Sequence, residues 1–261
     1  QVNSSGGPRE GYVYVYSANG VQTYNAHVVQ KRTSTVFSDV PPGINSAQGY
    51  YAAVNVPYFD TVNLMYSNGL TSGCSSGLFC PDSNLTRAEV AIFLVRAWSK
   101  MIYGATEAFQ TTNPPSGTPY FSDVASGAFG FVYIQKAYEL GITLGCGSGQ
   151  FCPTSNVTNL QAAMFTVRTR QLTTQGCSYN CTNDNFTDFP TNQAFSDVGS
   201  GDQDFKWVQK ISTHQPYGAN VLASQLDTGD CSVGSFCKTT NIRRKTFSYY
   251  IVRGVLLDTN N

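Results

Sequence analysis

Residues 74–96 read CSSGLFCPDSNLTRAEVAIFLVR, and they contain the strongest structural signals in the chain. Cys74 and Cys80 bound a loop that contains glycine, which adopts backbone conformations closed to other residues. Thr86 and Glu89 have the spacing of a capping box, in which two side chains bind the free N–H groups at the start of a helix. Apolar residues with helical spacing follow. The stretch therefore predicts a short closed loop followed directly by a helix.

The same loop occurs three times along the chain. The pattern C-x-x-G-x-F-C lies at residues 74–80, 146–152 and 231–237. Each copy is preceded by Phe-Ser-Asp-Val, at residues 37–40, 121–124 and 195–198. An alignment without gaps continues from each loop through the following helix. Internal repetition of this kind indicates one supersecondary unit used several times, so we predict three divergent copies.

Each copy is predicted to be helix, loop, helix, which makes the chain mainly α. The first helix is expected from about Tyr58 to Ser67 in copy one. Apolar residues with helical spacing mark the first helix of the other two copies: Phe131, Ile134 and Tyr138, and then Phe205, Val208 and Ile211. The capping box recurs in copy two as Thr158 and Gln161 and is lost in copy three.

The composition of the chain excludes some classes of function and of partner. The chain has 261 residues, a formal net charge of zero and only 12% charged residues. No basic excess is available to neutralise phosphates, so nucleic acid is not an expected partner. No run of about 20 apolar residues indicates a membrane span. A weakly charged surface offers little repulsion between like molecules, so copies of the chain itself are expected partners.

Eight cysteines form four close pairs, which indicate disulfides and an oxidising compartment. The pairs are Cys74 with Cys80, Cys146 with Cys152, Cys177 with Cys181, and Cys231 with Cys237. Metal binding is the rival interpretation, but zinc sites favour closer cysteine pairs or histidine partners. Local pairing is the simplest of the 105 possible connectivities. We therefore predict a secreted protein without metal or cofactor.

These motifs resemble S-layer homology repeats, which usually occur as three in a row. The resemblance rests on Phe-Ser-Asp-Val, on the Gly-x-Phe-Cys-Pro turn and on Leu-Thr-Arg-Ala-Glu with the helix after it. It implies a pseudo-threefold spindle of three helix-loop-helix repeats at the cell surface. It also implies non-covalent binding of an anionic cell-wall polysaccharide in grooves between repeats. The cysteine-closed loops are not general in the family and suggest a variant lineage.

The resemblance assigns glycan binding to the arginine of Thr-Arg-Ala-Glu, which is Arg87 in copy one and Arg244 in copy three. Copy two has Asn159 there. Arginine suits sugars that carry carboxylates because its planar fork donates two hydrogen bonds. A solvated or salt-bridged surface charge is the alternative for Arg87. Arg96, Arg168 and Arg253 are expected to be structural residues at helix ends, where they complement the helix dipole.

An N-terminal arm precedes the repeats. Tyr12, Val13, Tyr14, Val15 and Tyr16 form a β-prone run, and Asn-Gly separates this run from a second one. The sequence predicts a β-hairpin or strand arm. It either packs on its own repeats or pairs with a neighbouring subunit by strand addition.

The predicted organisation places the arm at 1–36, repeat one at 37–103, a linker at 104–120 and repeat two at 121–170. A disulfide-bearing linker follows at 171–194, and repeat three with the C-terminal tail occupies 195–261. Because these repeats make up nearly the whole chain, we expect no cargo domain.

We therefore expect an extracellular structural protein that self-assembles into a surface layer or filament. A non-covalent anchor or adaptor that binds wall polysaccharide is the alternative. No nucleophile motif, phosphate loop or metal cluster indicates an enzyme, and no catalytic residue is predicted.

Overall fold

The structure is a computed structural model that describes residues 9–16, 22–30, 36–40, 58–174, 184–213, 231 and 234–256. This part of the chain is mainly helical, as the repeat predicts. The helices are α1 (Tyr58–Ser67), α2 (Arg87–Tyr103), α3 (Phe109–Thr112), α4 (Phe131–Glu139), α5 (Asn159–Thr174), α6 (Phe205–Thr213) and α7 (Arg244–Ile251), and a π-helical turn, Val252–Leu256, follows α7. The predicted bounds of α1 are confirmed.

The local sequence explains where α2 begins and ends. Thr86 caps its first turn by accepting the Glu89 N–H, and the Glu89 carboxylate accepts the Thr86 N–H, so the predicted capping box is confirmed. At the other end, Gly104 is left-handed, with φ 81°, a conformation that glycine adopts without strain. In copy two, Thr158 and Gln161 exchange the equivalent two bonds.

The first helix of one repeat packs on the second helix of another. Helix α4 packs on α2, α6 packs on α5, and α1 packs on α7. Each repeat therefore buries its apolar face against a neighbouring repeat. The largest fully buried side chains lie in all three repeats and in the linker after repeat one, and they include Trp98, Phe109, Phe79, Phe151, Phe195, Phe247 and Tyr250.

Three backbone hydrogen bonds join the repeats in a closed cycle just before α2, α5 and α7. The Leu85 N–H donates to the Ile242 carbonyl at 3.1 Å, and the Ile242 N–H donates to the Val157 carbonyl at 2.8 Å. The Val157 N–H then donates to the Leu85 carbonyl at 3.0 Å. All three side chains are completely buried, so the chain doubles back and brings repeat three against repeat one.

Two strands lie in the N-terminal region, β1 (Arg9–Tyr16) and β2 (Gln22–Gln30). They pair antiparallel from Arg9 opposite Gln30 to Tyr16 opposite Gln22, with an irregularity between Val15 and Tyr16. The β-prone residues 12–16 therefore lie within β1. Pairing of this arm with a neighbouring subunit stays a prediction.

None of the helices in the described ranges combines the length and the apolar character needed to cross a membrane.

Candidate functional site

An aspartate of the Phe-Ser-Asp-Val motif holds each cysteine-bounded loop, here called a Cys loop. Asp123 accepts the N–H groups of Phe151 and Cys152 at 2.8 and 2.7 Å. Asp39 and Asp197 bind the equivalent amides of the first and third Cys loops at 2.7–2.8 Å. Hydrogen bonds to an ionised carboxylate are stronger than neutral ones. This aspartate recurs in all three copies, and that recurrence could have indicated its role in holding the loop. Sequence reasoning assigned no role to it.

Local disulfides close the same three loops. The pairing predicted for six of the eight cysteines is confirmed by the bonds Cys74–Cys80, Cys146–Cys152 and Cys231–Cys237. Each loop is therefore fixed twice, covalently at its ends and by the aspartate of its own repeat.

The fourth predicted disulfide differs from the other three, because it is not among the bonds that the structure describes. Cys177 lies outside the described residues, and Cys181 also lies outside the described residues, which resume at residue 184. A disulfide between Cys177 and Cys181 therefore stays a prediction, and so does the disulfide-bearing character of the linker at 171–194.

The segment just after each Cys loop contacts the start of a helix from another repeat. The Arg87 N–H donates to the Ser155 carbonyl at 2.9 Å, and the next amide, that of Ala88, donates to the Pro153 carbonyl at 3.1 Å. The first amides of a helix have no partner within the helix. The equivalent amides of α5 and α7 find carbonyls in the same way: Asn159 on Thr240, Leu160 on Lys238, Arg244 on Ser83 and Lys245 on Pro81.

We call these contacts seam 1–2, seam 2–3 and seam 3–1, after the repeat that supplies the helix and the repeat that supplies the loop. Seam 1–2 is formed by α2 and residues 143–155. Seam 2–3 is formed by α5 and residues 236–240, and seam 3–1 by α7 and residues 79–89. The seams are the candidate site because the predicted glycan-binding positions all lie in them.

Arg87 lies buried in seam 1–2, with only 5% of its surface exposed. Its Nε donates to the Phe151 carbonyl at 2.7 Å, and its Nη2 donates to the Gly145 carbonyl at 2.9 Å. The guanidinium also lies 5.0 and 5.5 Å from the ring centroids of Phe151 and Phe165. Burial lowers the pKa of Arg87, and nearby Asp123 opposes this shift. The alternative of a solvated surface charge is therefore wrong, because the side chain is buried and its hydrogen bonds go to carbonyl groups of the protein.

Arg244 occupies the equivalent position in seam 3–1 and is also buried, with 6% exposure. Its Nη2 donates to Glu89, the capping-box carboxylate of repeat one. Its guanidinium lies 5.9 and 5.6 Å from the ring centroids of Phe79 and Phe93. The Arg244 Nε is buried and has no hydrogen-bond partner among the described residues, whereas the Nε of Arg87 is bonded. The two arginines that sequence reasoning treated alike therefore differ.

Asn159 takes the same position in seam 2–3 without a charge. It is buried, and its Nδ2 donates to the carbonyls of Phe236 and Cys237, both at 3.2 Å. The shorter amide therefore reaches the same part of the Cys loop that the Arg87 Nε reaches in seam 1–2.

Seam 3–1 also contains ion pairs that sequence reasoning missed. Asp82 of repeat one binds Lys245 at 2.6 Å and Arg243 at 3.1 Å. The hydrogen bond from Lys245 holds the pKa of Asp82 below its ordinary value, with a smaller contribution from Arg243. The run Arg243-Arg244-Lys245 was visible in the sequence. Its acidic partners were not, because they lie far away along the chain.

The repeated arginines Arg96 and Arg168 lie inside helices α2 and α5 and bind acidic residues of the linkers that follow these helices. The prediction that they lie at helix ends is therefore wrong. Both helices continue well past them, to Tyr103 and Thr174. Arg96 donates to Glu107 at 2.7 Å, and Arg168 donates to Asp184 through two nitrogens at 2.9 and 2.6 Å. Each guanidinium also lies 5.3 Å from an aromatic ring of the following repeat, Tyr133 for Arg96 and Trp207 for Arg168.

Comparison with known proteins identifies the family of one segment of the chain. The family model of the S-layer homology domain matches residues 53–91. The chain therefore contains an S-layer homology domain, and the resemblance to this family is confirmed for these residues. The occurrence of three such repeats in tandem stays a prediction.

Two relatives are much longer proteins. The chain is 28% identical over 114 residues to a cell surface protein of Thermoanaerobacter kivui, and the match covers 44% of this chain and 14% of that protein. It is 31% identical over 110 residues to an endoglucanase of Bacillus sp. (strain KSM-635), with 42% of this chain and 10% of the enzyme covered. The chain thus spans only a small part of the length of these relatives.

Proposed function

We propose that this chain is a cell-surface protein that attaches non-covalently to an anionic cell-wall polysaccharide through the seams between its repeats. Two findings support this proposal: the S-layer homology domain at residues 53–91 and the similarity to a cell surface protein. S-layer homology domains bind cell-wall polysaccharide. The proposal also takes the three repeats to form a pseudo-threefold spindle, which the cycle of hydrogen bonds through Leu85, Val157 and Ile242 supports.

The unpaired Nε of Arg244 is the observation that carries the proposal. A buried donor without an acceptor costs about 1–3 kcal/mol, more when the group is charged. A sugar hydroxyl or carboxylate oxygen that enters seam 3–1 would accept this hydrogen bond and remove that cost. The donors of Arg87 on seam 1–2 already bind protein carbonyls. Arg244 is therefore the stronger of the two predicted glycan contacts.

Conservative substitutions test this assignment. Arg244→Lys keeps the positive charge beside Glu89 but removes the Nε donor, since lysine has one compact ammonium group. We expect it to weaken binding to purified wall polysaccharide about tenfold, which corresponds to about 1.4 kcal/mol. Arg87→Lys is the matched control and should change the affinity less than about twofold. Co-sedimentation with purified cell walls gives both affinities.

The wild-type affinity and a thermal unfolding curve for each variant make the result interpretable. If Arg244→Lys folds and binds as tightly as the wild type, the proposed contact is wrong. If the wild-type chain does not bind walls at all, the attachment proposal fails as a whole.

Self-assembly into a surface layer or filament is the second candidate function. In the ranges that the structure covers, β1 and β2 pair only with each other. A two-stranded sheet is marginal in water, and its outer edges can pair with strands of another chain. Electron microscopy and mass measurement should show polymers for the intact chain and monomers for a chain without residues 1–35. Polymers of equal length from both chains would exclude the arm as the assembly element.

We propose no catalytic activity for this chain. The endoglucanase is similar over only 10% of its length. Incubation with cellulose or wall polysaccharide is expected to release no reducing sugar, and measurable release would contradict the proposal.

A further inference from the structure

Two tyrosines lie on the surface at equivalent positions of repeats one and two. Tyr66 is in α1 and Tyr138 is in α4, and each lies three residues before a glycine with left-handed backbone, Gly69 or Gly141 (φ 74° and 76°). The two tyrosines are 43% and 37% exposed. Each therefore presents part of its ring to the solvent at the same place of its repeat.

A row of aromatic rings joins Tyr66 to the arginine of seam 3–1. The Arg244 guanidinium lies 5.9 Å from the centroid of the Phe79 ring. The Phe79 and Phe37 centroids are 5.6 Å apart, and so are those of Phe37 and Tyr66. Phe37 and Tyr66 meet edge to face, at 86°, which is a favourable arrangement for two rings. The row leads from a buried cation to an exposed ring.

Seam 1–2 has the same row. The Arg87 guanidinium lies 5.0 Å from the Phe151 centroid, and the Phe151 and Phe121 centroids are 5.4 Å apart. Phe121 then meets Tyr138 edge to face at 5.2 Å and 77°. Tyr120, which is 44% exposed, lies 4.8 Å from Tyr138 and enlarges the aromatic surface on this side.

Seam 2–3 has lost both ends of the row. Phe236 and Phe195 still pack on each other at 5.2 Å. The residue of α6 at the place of Tyr138 is Ser212, which is buried, and Asn159 takes the place of the arginine. The two inner rings therefore pack without an exposed tyrosine. The arginine and the tyrosine occur together at two seams and are absent together at the third, which indicates that they serve the same site.

The chemistry of a sugar ring suits such a pair of residues. A pyranose ring has faces made of C–H groups, and these faces pack on the flat face of an aromatic ring, which carries partial negative charge. Tyrosine offers a large, rigid and amphipathic contact area at a low cost in conformational entropy. Arginine binds the carboxylates of an anionic sugar. Because a polysaccharide has many rings in a row, one chain can contact the exposed tyrosine with one ring and the seam with another.

We propose that Tyr66 and Tyr138 are stacking platforms for the sugar rings of the wall polysaccharide, beside seam 3–1 and seam 1–2. This inference rests on the proposed attachment to wall polysaccharide, and it adds the residues that bind the uncharged faces of the sugars. It also assigns no such platform to seam 2–3.

Two double variants test the proposal. The first carries Tyr66→Ser with Tyr138→Ser and removes both rings. The second carries Tyr66→Phe with Tyr138→Phe and keeps the rings without their hydroxyl groups. In co-sedimentation with purified cell walls, we expect the serine variant to bind about tenfold more weakly and the phenylalanine variant to stay within about twofold of the wild type. The loss should persist at about 1 M salt, because stacking is not screened as charge pairs are.

Phe129→Ser is the matched control. Phe129 is 71% exposed and belongs to neither row, so the substitution removes a large exposed ring from another part of the surface. It should leave the affinity unchanged. Thermal unfolding curves should show midpoints close to that of the wild type for all these variants, because the substituted rings are exposed.

The outcomes separate this inference from the attachment proposal. If the serine variant folds and binds as tightly as the wild type while Arg244→Lys binds more weakly, the platforms are wrong and the attachment stands. Equal losses in the serine and phenylalanine variants would also overturn the platforms, because the hydroxyl groups and not the rings would then carry the contact. A wild-type chain that does not bind walls overturns both.

Discussion

Arg87 of repeat one donates its Nε proton to the Phe151 carbonyl of repeat two at 2.7 Å, inside a seam where the arginine side chain is almost completely shielded from water. The residue that Arg87 reaches is itself held by Asp123, which accepts the Phe151 N–H. Phe151 thus accepts a hydrogen bond from another repeat at its carbonyl, while its N–H donates to an aspartate of its own repeat. This connection makes the arginine a structural element of the seam.

Arg87→Ala is expected to lower the free energy of unfolding by about 3 kcal/mol, because hydrogen bonds to a charged group are lost and buried carbonyls remain unpaired. Urea unfolding followed by circular dichroism measures the loss. Arg243→Ala is the control, since its ion pair with Asp82 is more exposed and should contribute less than about 1 kcal/mol. Similar losses in the two variants would contradict the role of Arg87.

Asp123→Asn should destabilise the chain by about 2 kcal/mol, because a carboxylate that accepts two backbone N–H groups is replaced by an amide with one acceptor oxygen. The same unfolding assay applies. Ser122→Ala is the neighbouring control, whose hydroxyl makes only a 3.4 Å contact with the Gly149 carbonyl, and it should change stability by less than about 0.5 kcal/mol. A harmless Asp123→Asn substitution would show that the disulfide alone fixes the loop.

The Arg168–Asp184 pair predicts a dependence of stability on pH. The hydrogen bond from Arg168 lowers the pKa of Asp184 below its ordinary value of 3.8. The ionised carboxylate therefore stabilises the folded state above about pH 4, and this contribution disappears as the pH falls through the lowered pKa. Asp184→Asn should be less stable than the wild type at pH 7, and the difference should shrink below pH 4. A difference that stays constant from pH 7 to pH 2 would contradict this assignment.

Gly73→Ala should destabilise the first Cys loop strongly. Its φ is 97°, and an added Cβ would lie 2.3 Å from the Leu78 carbonyl oxygen and 2.7 Å from the Phe37 ring. We expect a loss of more than about 2 kcal/mol in the free energy of unfolding. Gly127→Ala is the control, because no atom lies within 4 Å of its added Cβ and its φ is not left-handed. Equal thermal midpoints for the two variants would refute the predicted clash.

Local patterns in the sequence predicted the bounds of α1, the capping boxes and three disulfides. These features depend on residues within one turn or one loop, so the interactions that produce them can be inferred from spacing alone. The hydrogen bonds of Arg87 could not be inferred in this way, because its acceptors lie in the next repeat. Arg244 has the same position in the motif, but its partner is Glu89 of repeat one. That contact could not be inferred from spacing, because it depends on the packing of the last repeat against the first.

The hydrogen-bond cycle through Leu85, Val157 and Ile242 has a consequence for the origin of the chain. Three separate copies of one short ancestral polypeptide would make the same cycle around a symmetry axis. Duplication and fusion of the gene would keep this arrangement and free each seam to change independently. The present seams fit such a history, because equivalent positions now hold arginine, asparagine and an arginine paired with an acid. Because all three seams lie in one chain, each can take on a different task, which the seams between three identical subunits could not do.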